Sequence, residues 1–167
     1  MKWSTKTSSK EAAGVSAREI FKNGEIASAG KAEEARKFAE IAHEGQFDRG
    51  GVPYIEHPKA VASRLGGEVE KIVAWLHDVV EDTEVTVDEL RELFGDEVAD
   101  AVAILSRNKN EPYMDYIRKI KSNEIARKVK MADLSHNMDV SRLPIITDAD
   151  WKRVEKYKKA YELLSED

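Results

Sequence analysis

Ala35, Phe38, Ala39 and Ala42 recur at three- and four-residue intervals, so Lys31 to Glu44 reads as a helix with one apolar face. Three glycines and two prolines then break the pattern between Gly45 and Pro58, which predicts a loop. Pro58 is suited to open the next helix, because its missing N–H is not needed in the first turn. That helix should run to about Leu65, before Gly66-Gly67. Glu68 to Glu81 is the most apolar stretch, with Val69, Ile72, Val73, Trp75, Leu76, Val79 and Val80, and is expected to be one helix central to the core. Thr86 and Glu89 make a capping-box signature for a short helix ending at Gly95. Asp96 starts another, with Val98, Ala101, Val102 and Leu105 inward. Residues 107–112 read as a loop, and helices follow at about Pro112 to Ser122, Glu124 to Leu143 and Asp148 to Leu164. No segment sustains strand alternation and there is no internal repeat. The pattern predicts an all-α helical bundle of about seven or eight helices.

Residues 1–30 differ: they are rich in Ser, Thr, Ala and Lys. They are expected to form a partly flexible arm, with a short helix around Ser16 to Lys22 able to dock Ile20 and Phe21, ahead of one domain over residues 31–167. Hydrophobic residues make up 41% of the 167 and charged residues 35%, the balance of an ordinary globular domain. The absence of cysteine excludes disulfides, cysteine-ligated metals and thiol catalysis, and fits the reducing cytoplasm. A net charge of −5 argues against general nucleic-acid binding. No apolar run approaches the roughly 18 residues of a membrane helix, and no apolar segment follows Lys2 to make a secretory signal. Charge is uneven along the chain: residues 81–100 carry nine acids and one base, residues 107–130 eight bases and three acids. Two solvated helix faces would explain this, and so would a basic wall for phosphates opposite an acidic rim.

His57, the pair His77-Asp78, Glu81-Asp82, and Asp133 with Asn137 carry the candidate chemistry. His77 and Asp78 fall within the most apolar stretch, where a buried carboxylate needs a cation or hydrogen-bond donors. Glu81 and Asp82 follow His77 and Asp78 by four residues each, one helical turn along. Asp133 lies in a second apolar segment (Val129, Ala132, Leu134, Met138) with Asn137 one turn on. Any one of these is ordinarily a hydrogen-bonded core residue, a cap or an ion-pair partner. Together they suggest a divalent-metal site, and a mixed histidine and carboxylate set suits Mn, Fe, Zn or Mg in hydrolytic work.

Four segments extend this: AEIAHEGQFDRGGVPYIEHPKAVA (Ala39 to Ala62), VAWLHDVVEDT (Val73 to Thr83), LFGDEVADAVAILS (Leu93 to Ser106) and ARKVKMADLSHNMDVSRL (Ala126 to Leu143). In this order they resemble the HD superfamily of metal-dependent phosphohydrolases, and within it the hydrolase domain of the Rel/Spo enzymes and the small alarmone hydrolases. The resemblance implies an HD-domain bundle in which His57, His77, Asp78 and Asp133 bind a metal, manganese in the closest relatives. It also implies that Glu81 and Asp82 position or activate the attacking water, and that Asn137 contacts substrate. Arg49 and Gly50 fall in the loop that touches nucleotide, and His43 is expected to play a supporting role. The implied reaction removes the 3′-pyrophosphate of guanosine tetra- or pentaphosphate (ppGpp, pppGpp), giving GDP or GTP, with the nucleotide as the partner.

The chain departs from the resembled pattern where the base is read. Asp48 stands in place of an arginine that packs on guanine, Leu134 marks the loss of another arginine, and Val140 replaces a threonine. Two other readings follow: an HD phosphohydrolase for a different nucleotide or phosphate ester, and a metal-bearing nucleotide sensor with little turnover. Intact Glu81-Asp82 weighs against the sensor, which needs no water-activating pair.

Overall fold

The computed structural model describes residues 30–166, so the predicted arm and its helix at Ser16 to Lys22 lie outside the described residues. The described chain is all-α. Its helices are α1 (Lys31–Ala42), α2 (Glu56–Ala62), α3 (Glu68–Leu76), α4 (Val79–Asp82), α5 (Val87–Phe94), α6 (Asp96–Leu105), α7 (Tyr113–Lys121), α8 (Glu124–Asn137) and α9 (Asp148–Ser165), with a 3-10 turn at Val140–Arg142. Thr86 and Thr147 cap α5 and α9 through reciprocal bonds with Glu89 and Asp150. Gly95, at φ 91°, takes the left-handed backbone that lets α6 follow α5 without a linker.

Three boundaries differ from the sequence expectation. Pro58 is the third residue of α2, not its first, a position still inside the first turn. The expected helix Glu68 to Glu81 breaks at His77-Asp78 into α3 and α4, which raises the helix count to nine among the described residues. The cause is local: the His77 ring binds the Ala74 carbonyl at 2.7 Å, the acceptor that the Asp78 N–H would use in an unbroken helix. The helix expected over Glu124 to Leu143 ends at Asn137, and Asp139 instead caps the 3-10 turn through the Ser141 N–H.

Helix α3 packs against α1, α2, α6 and α8, and α8 also touches α2, α6, α7 and α9. The core lies along these two helices, with Ile72, Val73 and Leu76 of α3, Val129 and Leu134 of α8, and Val61 of α2 all buried. Phe38 of α1 closes one end, edge-on to Phe94 with ring centres 5.7 Å apart. Because α2, α3 and α8 touch one another pairwise, polar residues on their facing sides must meet.

Candidate metal centre

They meet at one point. His57 of α2, His77 just past α3 and Asp133 of α8 are all buried, and one ligand atom from each lies within 4.8 Å of the other two. His57 Nε2 stands 3.1 Å from Asp133 Oδ1, and His77 Nε2 stands 4.0 Å from the same oxygen. Asp78 joins from the helix break, with Oδ2 3.1 Å from His77 Nε2 and 3.6 Å from His57 Nε2. Donor atoms each about 2.1 Å from a shared ion, at tetrahedral or octahedral angles, would lie about 3.0–3.4 Å apart. The observed spacings are close to that range.

The donor set itself calls for a cation. His77 Nδ1 is committed to the Ala74 carbonyl, so it carries the proton, and Nε2 presents a lone pair. That Nε2 is buried without a hydrogen-bond partner and faces a carboxylate oxygen. Two lone pairs in contact need a proton or a metal between them. Burial disfavours the His77 cation, but Asp78 and then Asp133 more than offset this and raise its pKa to about 9. Burial likewise pushes the Asp78 carboxyl up, while His77 and His57 pull it further down. Asp133 is held well below the usual carboxylate range, against burial, by Lys130 and His57. The carboxylates stay ionised, and a metal would take the place of the His77 proton. His57, His77 and Asp133 thus form a candidate divalent-metal site.

Surrounding groups fix the donors in place. Tyr54 donates its hydroxyl to Asp78 Oδ2 at 2.5 Å. Asp133 Oδ2 accepts from Lys130 at 2.7 Å, and Oδ1 from Asn137 Nδ2 at 2.5 Å. The ring of buried His136 lies with its Nδ1 2.8 Å from His57 Nδ1. With His57 Nε2 turned to the site, His57 Nδ1–H is the donor in that pair. Tyr54, Lys130 and His136 were not singled out from the sequence. The signal for His136 was present, since Asp133, His136 and Asn137 follow the i, i+3, i+4 pattern of one helix face. Removing only the hydroxyl that steadies Asp78, in Tyr54→Phe, should weaken metal affinity by about 10- to 100-fold while the fold survives. Competition titration against a chelating dye measures this, and an affinity equal to wild type would remove Tyr54 from the support of the site.

The centre opens into a cleft of about 100 Å³ lined by Tyr54, His57, Asp78, Glu81, Asp82, Asp133 and Asn137, and also by Arg107, Tyr113, Tyr116, Lys130 and Tyr157. Glu81 and Asp82 therefore share it with the metal donors. Glu81 Oε2 accepts the Arg107 N–H at 3.3 Å. Gln46 ties the Asp82 carbonyl (3.1 Å) to Nδ1 of the buried His43 (2.8 Å).

Arg49 and Gly50 are placed elsewhere. The Asp48 carboxylate accepts the N–H groups of Gly50 and Val52 at 2.8 and 2.9 Å, closing a tight turn in which Gly51 has φ 80°. Arg49 reaches Asp150 at the start of α9, at 3.4 Å, and neither Arg49 nor Gly50 lines the cleft. Leu134 is buried in the core, and Val140 opens the 3-10 turn outside the lining.

A family profile described as "HD domain" matches residues 35–147. A guanosine-3′,5′-bis(diphosphate) 3′-pyrophosphohydrolase of Haemophilus influenzae is 41% identical over 115 residues, 60% of this chain and 17% of the relative. The bifunctional (p)ppGpp synthase/hydrolase SpoT of Escherichia coli is 38% identical over 115 residues, 60% of this chain and 16% of the relative. The chain thus spans about a sixth of the length of these curated relatives. A solved structure described as a metazoan ortholog of SpoT that hydrolyzes ppGpp superposes with a TM-score of 0.69, over 82% of this chain and 86% of that one. At 23% identity that likeness speaks for the fold alone. Among the described residues, no helix is long and apolar enough to cross a membrane.

Proposed function

The chain belongs to the HD-domain family, and from that premise we propose that it is a metal-dependent phosphohydrolase removing the 3′-pyrophosphate of guanosine 3′,5′-polyphosphates to leave GDP or GTP. One observation carries the reading: the donors His57, Asp78 and Asp133, with His77 against Asp78, line the same cleft as the paired carboxylates Glu81 and Asp82. In this reading His57, His77, Asp78 and Asp133 hold Mn²⁺. Bound there, the ion would supply a Lewis acid for phosphate oxygen and lower the pKa of water.

The protein's own groups do the rest. Glu81 and Asp82 orient a water against the phosphorus joined to O3′ and take its proton as the O–P bond forms. The O3′–P bond then breaks, and pyrophosphate leaves as O3′ gains a proton. Asn137, held through Asp133, offers a substrate contact. Lys130 places positive charge beside the leaving phosphates, and Tyr54 keeps Asp78 in position. Such an enzyme acts on a free cytoplasmic nucleotide and needs neither nucleic acid nor membrane.

A second reading, the same chemistry on a different nucleotide, is favoured by the state of the loop at Asp48. Its carboxylate is spent on the turn and Arg49 is paired to Asp150, so neither offers a free guanidinium to stack on a purine. Base discrimination should therefore be weak. The Mn-loaded chain incubated with the 3′-pyrophosphorylated forms of guanosine and adenosine nucleotides, with released pyrophosphate as the readout, should show kcat/KM values within about tenfold, or 1.4 kcal/mol. A preference for guanosine above about 100-fold would mean that other residues read the base. Failure of both compounds would overturn the alarmone reading in favour of the different-substrate one.

A further inference from the structure

Tyr113, which lines the cleft, gathers cations that the hydrolytic step does not use. Lys156 of α9 is partly buried, with its ammonium 4.6 Å from the centre of the Tyr113 ring and 5.3 Å from that of Tyr157, both cleft residues. Among the described residues it has no carboxylate partner. Its cationic neighbours Lys130 and Arg153 do, in Asp133 and Asp150. Arg107 also packs on Tyr113, at 5.5 Å. Its guanidinium is anchored by Nε and Nη2 to the Glu111 carbonyl, at 3.2 and 2.6 Å, and pairs with no carboxylate among the described residues. Burial, and then repulsion from Arg107, Arg153 and Lys130, lowers the Lys156 pKa. The hydroxyl of the Tyr113 ring on which both cations pack is buried and without a hydrogen-bond partner.

Stacking of cations on an aromatic ring explains the ring but not the hydroxyl. A phenol buried without a partner is costly unless a ligand supplies one. Two cations without carboxylate partners and an unpaired donor gathered at one cleft residue, Tyr113, are the equipment of an anion site. Resting on the reading that the substrate is a nucleotide phosphorylated at two positions, we propose that Lys156, Arg107 and Tyr113 form a second phosphate subsite, which holds the phosphate group that is not hydrolysed. The metal centre takes the scissile pyrophosphate, and this cluster takes the 5′-phosphates. The chain then selects for two separated anionic groups, a criterion independent of the base.

The test does not require turnover. The Mn-loaded full chain is titrated calorimetrically with a nucleoside 5′-diphosphate and with the bare nucleoside. Lys156→Met should weaken 5′-diphosphate binding by about tenfold, the worth of one charge-assisted hydrogen bond. It should leave the nucleoside unchanged, and Lys156→Arg should restore most of the loss. Tyr113→Phe should weaken the diphosphate several-fold in the same selective way, with the melting temperature of each variant showing that it folds. Equal diphosphate affinity in wild type and Lys156→Met, or no diphosphate binding by wild type, overturns the subsite. Where the bis-phosphorylated nucleotide is turned over, Lys156→Met should raise KM and spare kcat, and for a 3′-pyrophosphate lacking 5′-phosphates it should change neither. Binding lost selectively in a chain that hydrolyses no 3′-pyrophosphate would sustain the subsite and remove the proposed reaction.

Discussion

Asp133→Ala should yield a chain that retains no Mn²⁺ after desalting and melts about 10 °C lower than wild type, because one carboxylate serves two buried networks. Its Oδ1 stands 3.1 Å from His57 Nε2 and 4.0 Å from His77 Nε2, and its Oδ2 neutralises Lys130. Lys130 and Asp133 are both largely shielded, at 15% and 6% side-chain exposure, so removing the acid strands an ammonium in the interior. Breaking a buried pair from one side costs about 3–5 kcal/mol, and each kcal/mol shifts a domain of this size by about 2–4 °C. Lys130→Met in the same background should recover part of the stability without recovering metal, which separates the two roles. A single Asp133→Ala variant that melts with wild type would show that Lys130 swings out to water and that the pair contributes little.

Glu81→Gln and Asp82→Asn should each lower kcat by about 10²- to 10⁴-fold, the range for loss of a general acid or base. Metal content and nucleotide affinity should hold close to wild type. Each swap preserves shape and the neutral hydrogen bonds; for Glu81 that includes acceptance from the Arg107 N–H. What disappears is the negative charge that orients and deprotonates water. Single-turnover kinetics with a matched metal assay decides the matter. Near-normal rates in both variants would leave water activation to the metal alone, and Glu81 would become an anchor for the loop at Arg107.

Much of the fold was legible because helix signals are local. The capping box at Thr86, the stop at Gly95 and the inward set Val98, Ala101, Val102 and Leu105 all appear as read, since each depends on residues within a turn or two. The break at His77-Asp78 was not legible. Apolar periodicity runs straight through it, and only a side chain competing for the Ala74 carbonyl interrupts the ladder. Helix α8 stops at Asn137, and Asp139 beyond it caps the 3-10 turn through the Ser141 N–H.

Metal-type residues on apolar stretches suggested a divalent-metal site, and the resemblance to the HD superfamily implied His57, His77, Asp78 and Asp133 as its donors with Glu81 and Asp82 beside them. The sequence by itself thus determined an all-α chain with a metal-type donor set. Only the tertiary structure decided which groups serve that set. Tyr54 reaches Asp78 across 24 positions and His136 reaches His57 across 79, distances that no periodicity spans. It also turned Arg49 away, since an ion pair with Asp150, 101 residues on, competes with the cleft for its guanidinium. Lys156 acquired its place from the packing of α9 on α7 and α8, which brings a cation from the far end of the chain against Tyr113. Local pattern specifies helices and donors because its physics acts within a turn. Partners across the cleft depend on which helix faces pack together.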